Sequence, residues 1–440
     1  MIQSQKQVNY LVPFITLVIL FFFVGFLTTA NGQFQGPLKA AFLNSAGDLK
    51  NTFATLISFS WFLAYPLTGG LASSWVTKHG YKRTLIQGLL ILVVGLGVFW
   101  VSSWFTITFP DSNVHIASAV IPTGYFIFLF GSFVAGSAAT ILQVVINPYL
   151  TACNIKGTQA VQRLNIGASC NSIGTTVAPF FVTGIVFGGL SMGQVKISQL
   201  QVPFICLMLV IGLVTFILSK LALPDIAGTR ANVGEKLEKS IWSFRHLTLG
   251  VVAVFFYVGV EVCIGANINL YALELGNAGR QFAFFGMNSF NLFGINFSIP
   301  ALMATLYWGG MLIGRLISSS LNKILPDVQL VFTSSIATLL VLAAIAMNEP
   351  WLLVLVGLFH SVMWGAIFTL SVNKLGKYTS VASGVFMIGV IGGALLPLFQ
   401  GMFADMFGGA WRYTWLIVVA GELYIFYYGL SGCKVKQSAA

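Results

Sequence analysis

Apolar residues fill most of the chain in stretches of about twenty, and short polar stretches separate them. A helix needs about twenty apolar residues to cross the hydrocarbon core of a bilayer, so each stretch predicts a membrane-spanning helix. A window of about nineteen residues defines the candidate spans, which are numbered from the N-terminus. There are twelve, near residues 10–31, 52–76, 84–105, 120–150, 159–187, 202–222, 247–270, 299–321, 328–347, 350–373, 379–402 and 412–431.

The longest polar stretch lies midway along the chain, at residues 224–246, and divides it into an N-terminal half (1–223) and a C-terminal half (247–440). Two motifs recur across this division at an offset of six spans. Residues 69–78 (GGLASSWVTK) in span 2 resemble 314–323 (GRLISSSLNK) in span 8, and 173–181 (IGTTVAPFF) in span 5 resemble 391–399 (IGGALLPLF) in span 11. Chance similarity between Gly-rich helices would explain either match alone. The shared offset instead favours an internal duplication, which predicts two six-helix halves.

The composition supports a membrane protein, with 57% hydrophobic residues, 8% charged residues and a mean hydropathy of +0.89. So few charges could not cover the surface of a soluble protein of this size. Soluble enzymes, secreted disulfide scaffolds and nucleic-acid-binding proteins are therefore excluded as primary interpretations. The five cysteines show no CxxC or His-flanked spacing, so no disulfide framework or metal site is predicted.

Cations are distributed unevenly between the two sides of the predicted helices. Seventeen of the 22 Lys and Arg residues lie in the two ends of the chain, the central linker and the loops on their side, and five lie in the opposite loops. Loops with excess Lys and Arg stay in the cytoplasm. This asymmetry predicts cytoplasmic termini, a cytoplasmic linker and a multi-pass protein of the cytoplasmic (inner) membrane.

The loop after span 2 combines small residues with cations. Gly70 would allow close helix approach, Gly80 would permit a tight reversal, and Lys82 and Arg83 would anchor the loop to the cytoplasmic face. The loop resembles the signature loop of the major facilitator superfamily, except that serine stands where an acidic residue is common. We predict a conformational latch between helices here; the alternative is a plain cationic turn.

A more specific resemblance extends through essentially the whole chain. The residues that carry it are Phe21-Phe22-Phe23 and Asn31-Gly32-Gln33 in span 1, Leu142 to Tyr149 in span 4, Gln162 to Asn165 and Asn171 to Gly174 in span 5, Phe255 to Glu261 in span 7, and Gly314-Arg315 in span 8. These segments resemble the fucose/proton symporter family of the major facilitator superfamily. Gln143 and Glu261 make the chain more similar to the glucose/galactose porters of that family than to fucose permease. The resemblance implies an all-α fold of twelve transmembrane helices in two six-helix halves.

The chain departs from the family pattern at positions linked to proton coupling. Gly32 stands where the family has a proton-handling aspartate in span 1, and Gln143 stands where fucose permease has a glutamate in span 4. In span 10, His360 and Gly365 replace the usual Asn and Pro. The resemblance therefore supports a sugar transporter more firmly than it identifies the sugar or the coupling ion.

Polar side chains within the spans are the candidates for substrate binding. A buried amide or imidazole needs a partner in hydrocarbon, and a sugar needs paired donors and acceptors together with aromatic faces. Trp364 follows His360 by four residues, which would place both on one helical face. The alternative for each residue is hydrogen bonding between helices. The predicted substrate-binding residues are Asn31, Gln143, Asn147, Asn171, Asn267, His360 and Trp364.

Two acids lie well inside the spans, Glu261 in span 7 and Glu422 in span 12. A carboxylate at this depth must be protonated, paired or exposed to a wet cavity. We predict that Glu261 couples transport to an ion, because it lies one turn after Tyr257 and precedes a stretch at Gly265 where the helix could loosen. Glu422 belongs to a span that usually packs on the outside of this fold, so a structural role is favoured there. Arg315, at the cytoplasmic end of span 8, is predicted to be a latch or interface cation.

These observations predict a secondary transporter that imports a monosaccharide, a hexose such as glucose or galactose, by alternating access, with cation-coupled symport favoured. The alternatives within this class are a fucose, fructose or amino-sugar carrier, or an uncoupled uniporter. The chain shows no Walker motif, metal-ligand cluster or nucleophile-base pair. No enzyme activity, cofactor, metal or nucleic-acid partner is therefore predicted. An intramembrane enzyme or a channel is disfavoured, because the sequence shows neither a His/Asp/Ser constellation nor a symmetric pore-lining pattern. The expected partners are a sugar, a proton or a sodium ion and the lipid bilayer, with the protein a monomer.

Overall fold

The computed structural model describes residues 10–43, 46–116, 119–153, 155, 160–188, 195–221, 223, 239–292, 294–320, 325–375 and 378–435. Within these residues the fold is mainly helical. Before the central linker lie α1 (Leu11–Gln33), α2 (Gln35–Phe42), α3 (Lys50–Thr108), α4 (Thr123–Ala152), α5 (Ala160–Phe180) and α6 (Gln201–Lys220). After it lie α7 (Arg245–Asn277), α8 (Ile299–Ser320), α9 (Pro326–Met347), α10 (Pro350–His360), α11 (Met363–Ser371), α12 (Thr379–Phe386), α13 (Gly392–Met406) and α14 (Leu416–Tyr427).

Several predicted spans consist of more than one helical segment. Spans 2 and 3 form the two arms of α3, which is interrupted at Gly80, where φ is 78° and ψ is 170°. An L side chain rarely adopts this conformation, so the glycine allows the interruption that the sequence predicted. Span 10 is split into α10 and α11, whose axes differ by 42°. Span 5 continues beyond α5 as a π-helix at Phe181–Val186, and in span 11 a 3₁₀ segment at Met387–Ile391 links α12 to α13.

The described helices agree with a polytopic membrane protein. Among the described residues, nine helices are long and apolar enough to cross a bilayer, and the bent pair α10–α11 makes a tenth. The other two predicted spans are the first arm of α3 and α8, in which the apolar helix Leu302–Ile317 is shorter.

Contacts between loops agree with the predicted alternation of the spans. Asp405, at the end of α13, bonds to Asn51 at the start of α3, and Glu274 of α7 accepts a hydrogen bond from the backbone of Trp411. These residues lie at the span ends that the sequence assigns to the external side. Two antiparallel hairpins, β1 (Asn113–Ile116) with β2 (Ala119–Pro122) and β3 (Ser289–Leu292) with β4 (Ile295–Ser298), lie between helices on the same predicted side.

Two glycines from the predicted internal repeat make equivalent contacts. A Cβ atom on Gly174 of α5 would lie 2.3 Å from the carbonyl oxygen of Phe22 in α1, and one on Gly392 of α13 would lie 1.8 Å from that of Phe255 in α7. Spans 5 and 1 therefore approach as closely as spans 11 and 7. An internal duplication would produce this equivalence, although the division into two halves stays a prediction.

The predicted linker ends earlier than expected. Helix α7 begins at Arg245, so Arg245 and His246 belong to the helix and not to the linker. A 3₁₀ turn at Ile241–Ser243 precedes it. His246 is buried, and its Nε2 lies 3.0 Å from the carbonyl oxygen of Asn373. Residues 224–238 lie outside the described part of the chain.

Candidate functional site

Helix α7 carries Glu261 and Tyr257, which lie near the interface between helices α1–α6 and helices α7–α14. Glu261 is half-buried, and Arg315 of α8 and His360 at the end of α10 lie close enough to act on its charge. One turn earlier, the ring of Tyr257 lies 6.3 Å from that of Trp364 in α11 and 6.2 Å from that of His360. Trp364 is half-buried as well.

Arg315 bridges the two sets of helices. Its Nε donates to the carbonyl oxygen of Ser361 at 3.3 Å, in the break between α10 and α11. Its Nη1 donates to the carbonyl oxygen of Ala168 in α5 at 3.4 Å and to the hydroxyl of Ser172. The cation therefore connects the Glu261 region to the break in span 10 and to α5.

The opposite side of the interface carries the amide of Gln143 on α4. This half-buried side chain donates to the hydroxyl of Tyr65, whose ring stacks on Phe62 with 5.8 Å between centroids. Phe62 in turn lies 3.0 Å from the Cβ position of Gly393 in α13. The amide is thereby linked through two aromatic rings to the second set of helices. Asn147, one turn further along α4, is also half-buried.

Asn171 lies beside the Arg315 contact, but it also has a structural bond. Its amide nitrogen donates to the carbonyl oxygen of Phe21 in α1 at 2.9 Å. The next residue, Ser172, receives the Arg315 guanidinium. Asn171 is half-buried, so it combines helix packing with a position at the interface.

Two of the amides predicted to bind substrate hold helices together in this conformation. Asn31 is 3% exposed, donates to the carbonyl oxygen of Ile57 at 3.2 Å and accepts from Ser132 at 2.9 Å. Asn267 is fully buried and donates to Gln400 at 2.9 Å. In this conformation both side chains make the bonds between helices that were the alternative interpretation. Substrate binding by either residue stays a prediction.

The expected loosening of the helix near Gly265 was wrong. Helix α7 is continuous from Arg245 to Asn277. The glycine serves close packing instead, since a Cβ atom there would lie 2.3 Å from the indole ring of Trp308. Its carbonyl oxygen also accepts a hydrogen bond from Gln33 of α1 at 2.8 Å.

His360 does not face a substrate cavity in this conformation. It is fully buried, with Nε2 2.6 Å from Glu422 Oε1 and Nδ1 2.8 Å from the hydroxyl of Tyr307. The helix breaks between His360 and Trp364, yet both rings lie beside that of Tyr257, at 6.2 and 6.3 Å. Glu422 is also fully buried, and its bond to His360 on α10 agrees with the helix-packing role favoured for it.

The predicted latch loop after span 2 makes fewer close helix contacts than its small residues predict. Within the described part of the chain, a Cβ atom on Gly70 would meet nothing within 4 Å, so none of the described helices packs closely against it. Lys82 donates to the carbonyl oxygen of Ser219 at the end of α6 at 2.9 Å, while Arg83 is exposed. A latch role for this loop stays a prediction.

Hydrogen bonds between Asp405 of α13 and the residues Asn51 and Thr52 of α3 join the two sets of helices on the predicted external side, and they are called the clamp below. The Asp405 carboxylate accepts hydrogen bonds from the backbone and side chain of Asn51, at 3.0 and 2.8 Å, and from those of Thr52, at 2.6 Å each. Gln33 adds a second connection, because it accepts from Asn269 of α7 at 2.9 Å. Both sets of bonds join helices from opposite sides of the central linker.

Comparison with known proteins places this arrangement in a family. No protein-family model matches the chain. The glucose/galactose transporter of Brucella abortus biovar 1 (strain 9-941) is 30% identical over 438 residues, covering 98% of this chain and 97% of the relative. The chain belongs to the glucose/galactose branch of the fucose/proton symporter family. The L-fucose-proton symporter of Haemophilus influenzae (strain ATCC 51907 / DSM 11121 / KW20 / Rd) is 24% identical over 430 residues, covering 90% of each chain.

A solved structure gives the same fold. A crystal structure of the Escherichia coli fucose:proton symporter, at 20% identity, has a TM-score of 0.65 and covers 98% of this chain and 100% of that chain. Major facilitator proteins recur among the structural matches. The predicted twelve-helix major facilitator fold is thereby confirmed. The chain is a multi-pass membrane transporter and not an enzyme.

Several polar residues of this transporter have contacts that their sequence context does not predict. Tyr65 and Tyr307 lie in apolar spans and look like ordinary packing aromatics, so only their partners reveal them. Asp405 lies three residues beyond the predicted end of span 11, where an acid resembles a solvated loop residue. Glu422 carried a usable signal, an isolated acid in an apolar span, but the direction of its side chain cannot be read from periodicity alone.

Proposed function

We propose that the transporter imports a hexose such as glucose or galactose together with a proton. The full-length match at 30% identity to a protein named as a glucose/galactose transporter supports the sugar. The relatives named as fucose-proton symporters support the proton as the coupling ion. In this proposal the protein is a monomer with two six-helix halves in the cytoplasmic (inner) membrane, with both termini in the cytoplasm.

The observation that carries the sugar assignment is the set of polar and aromatic groups on both sides of the helix interface. Gln143 offers an amide from one side, and Tyr257 and Trp364 offer rings from the other. The indole nitrogen of Trp308 is buried and, among the described residues, has no hydrogen-bond partner. A buried donor without a partner costs about 1–3 kcal/mol, and a sugar hydroxyl would satisfy it. Donors, acceptors and aromatic faces are what a hexose requires.

Alternating access would follow from the contacts that close one side. The Asp405 and Gln33 bonds join the two halves at the ends of α1, α3, α7 and α13. If the orientation is as predicted, the external side is closed in this conformation. These few polar bonds must break for the carrier to open outward.

Glu261 is the proposed coupling acid. It follows Tyr257 by one turn of α7, and Tyr257 belongs with Gln143 and Trp364 to the proposed sugar-binding groups, which are called the central site below. Its half-buried carboxyl lies in the field of Arg315, which also contacts α5. Gly32 stands in the position of the family aspartate, so that position offers no carboxylate. A Cβ atom added there would lie 3.4 Å from the Cβ of Ala266. Proton binding to Glu261 would change the charge beside Arg315, and hence the strength of a contact that joins the two halves.

The test is uptake of radiolabelled sugars into proteoliposomes. Glucose, galactose, fucose, fructose and N-acetylglucosamine are offered separately, each under an imposed proton gradient and an imposed sodium gradient. We expect concentrative uptake of glucose or galactose under the proton gradient alone. Accumulation that follows sodium, or uptake that only equilibrates, would refute proton symport. Transport of another sugar in preference to both hexoses would refute the substrate.

A further inference from the structure

A fully buried histidine and glutamate form a hydrogen-bonded pair beside the central site. His360 Nε2 lies 2.6 Å from Glu422 Oε1, and both side chains are 0% exposed. The hydroxyl of Tyr307 lies 2.8 Å from His360 Nδ1 and 3.4 Å from the backbone oxygen of Glu261. A continuous set of contacts thus leads from α14 through α10 and α8 to the turn of α7 that carries Glu261.

Such a pair is costly if its only role is packing. Removing charged groups from water at bilayer depth costs several kcal/mol, and well-packed apolar residues of similar volume would often be as stable. The second carboxyl oxygen of Glu422 has no hydrogen-bond partner in the described part of the chain. The carboxylate charge is therefore only partly compensated, and a positive charge on His360 would balance it.

We propose that His360 and Glu422, connected by Tyr307 to the backbone of Glu261, form a second proton-binding site, which acts together with Glu261 in coupling. This inference rests on the proposed proton symport. In the loaded state the imidazolium donates Nε2–H to Glu422 and Nδ1–H to the Tyr307 oxygen, and the phenolic proton turns toward the backbone oxygen of Glu261. In the empty state the proton has left Nδ1, which accepts the phenolic proton, while Nε2–H still bonds to the carboxylate. Every ring nitrogen has a partner in both states, and only the net charge of the pair changes, from zero to minus one.

The position of the pair connects its charge to the movement of the helices. His360 is the last residue of α10, and the carbonyl oxygen of the next residue, Ser361, accepts from Arg315. Arg315 also holds α5 in the other half through Ala168 and Ser172. An empty pair with a net negative charge attracts the guanidinium toward the C-terminal half, whereas a loaded pair does not. Proton loading would therefore alter the contact that spans the interface.

The titratable groups that interact with His360 or Glu422 lie on helices α7 and α8. Helix α8 contributes Tyr307 and Arg315, and helix α7 contributes Glu261, Tyr257 and Cys263, all of which interact electrostatically with one another or with His360. Helix α9, which packs against α10 and α14, has Asp327 in its first turn as its sole titratable residue. The net negative charge of the empty pair attracts Arg315 and repels an ionised Glu261.

Protonation of His360 can be measured without any sugar. The transporter contains four histidines, so ¹⁵N-histidine NMR in nanodiscs can follow each ring, and His360→Gln identifies the relevant resonance. We expect the Nδ1 resonance of His360 to move with pH in the unaltered protein and to stay fixed in Glu422→Gln, which removes the partner of the imidazolium. A His360 resonance that does not change across the working pH range would overturn the proposal.

Transport supplies the second readout. Glu422→Gln and Tyr307→Phe should lose pH-driven accumulation while sugar counterflow continues, because a carrier that exchanges sugar returns loaded. Tyr428→Phe is the matched control, since it removes another buried hydroxyl, bonded to Ser371 and to the backbone of His246, and should still accumulate sugar. Normal accumulation by Glu422→Gln would contradict the proposal. If the unaltered protein shows His360 titration but no proton-driven uptake, the proposed symport is wrong and the buried proton site stands.

Discussion

The clamp at Asp405 should set the balance between the two access states. Asp405 accepts four hydrogen bonds from Asn51 and Thr52, at 2.6–3.0 Å, at the N-terminus of α3. Asp405→Asn keeps the size of the side chain but removes the charge and replaces one acceptor oxygen with a donor. The substitution leaves the closed state without its charge at the positive end of the helix dipole.

The size of the effect can be estimated from these contacts. Bonds to a charged group contribute about 1.5–3 kcal/mol, and a charge at a helix N-terminus contributes about 0.3–1 kcal/mol, with screening because Asp405 is half-exposed. A net loss of about 2 kcal/mol would shift the population roughly thirtyfold toward the state that is open on this side. Structure elsewhere should stay unchanged, because the clamp lies at the rim of the bundle.

Spin-label distances in nanodiscs can measure this shift. The exposed Cys206 is first replaced by serine, and labels are placed on cysteines at His115 and Phe407, which are both exposed on the clamp side. We expect Asp405→Asn to broaden the distance distribution toward longer values. Asp111→Asn, an exposed aspartate on the same side, is the matched control and should leave it unchanged. An unaltered distribution in Asp405→Asn would show that the clamp does not hold the closed state.

Four further outcomes are expected. Gln143→Ala should weaken hexose binding about tenfold, because a lost buried partner costs about 1–3 kcal/mol; unchanged affinity in a folded protein would place the sugar elsewhere. Glu261→Gln should lose proton-driven accumulation and keep counterflow, and wild-type accumulation by this variant would leave the acid with a structural role only. Cysteines at the exposed positions Ser198 and Ser240 should react with impermeant reagents from opposite sides, with Ser198 external; reaction from one side would overturn the topology. Gly392→Ala should reduce the yield of folded protein, since its Cβ would lie 1.8 Å from a carbonyl oxygen of α7, and a normal melting temperature would contradict that packing.

The helices of this fold are predictable from sequence because a bilayer imposes a simple requirement on them. About twenty apolar residues must occur together, so the spans follow from composition and length. Gly80 was predictable too, because a loop between two apolar stretches needs a residue that tolerates positive φ. The segmented spans 10 and 11 were not, since a break buried among other helices leaves the hydropathy unchanged.

The candidate site was predictable only in part. An isolated polar residue in an apolar span signals a buried partner, and this singled out Gln143, His360 and Glu422 as unusual. The partner itself depends on how helices rotate against one another, which single-chain periodicity does not fix. The sequence therefore did not predict the helix-packing bonds that Asn31 and Asn267 make in this conformation, and their substrate role stays a prediction.

Proton movement caused by sugar entry tests the central claim most directly. Proteoliposomes containing a trapped pH-sensitive dye, without an imposed ion gradient, receive glucose or galactose on the outside. Symport predicts that the interior becomes acidic as sugar enters, and that a proton ionophore abolishes this signal while sugar entry continues. Sugar entry without any internal pH change would contradict the account.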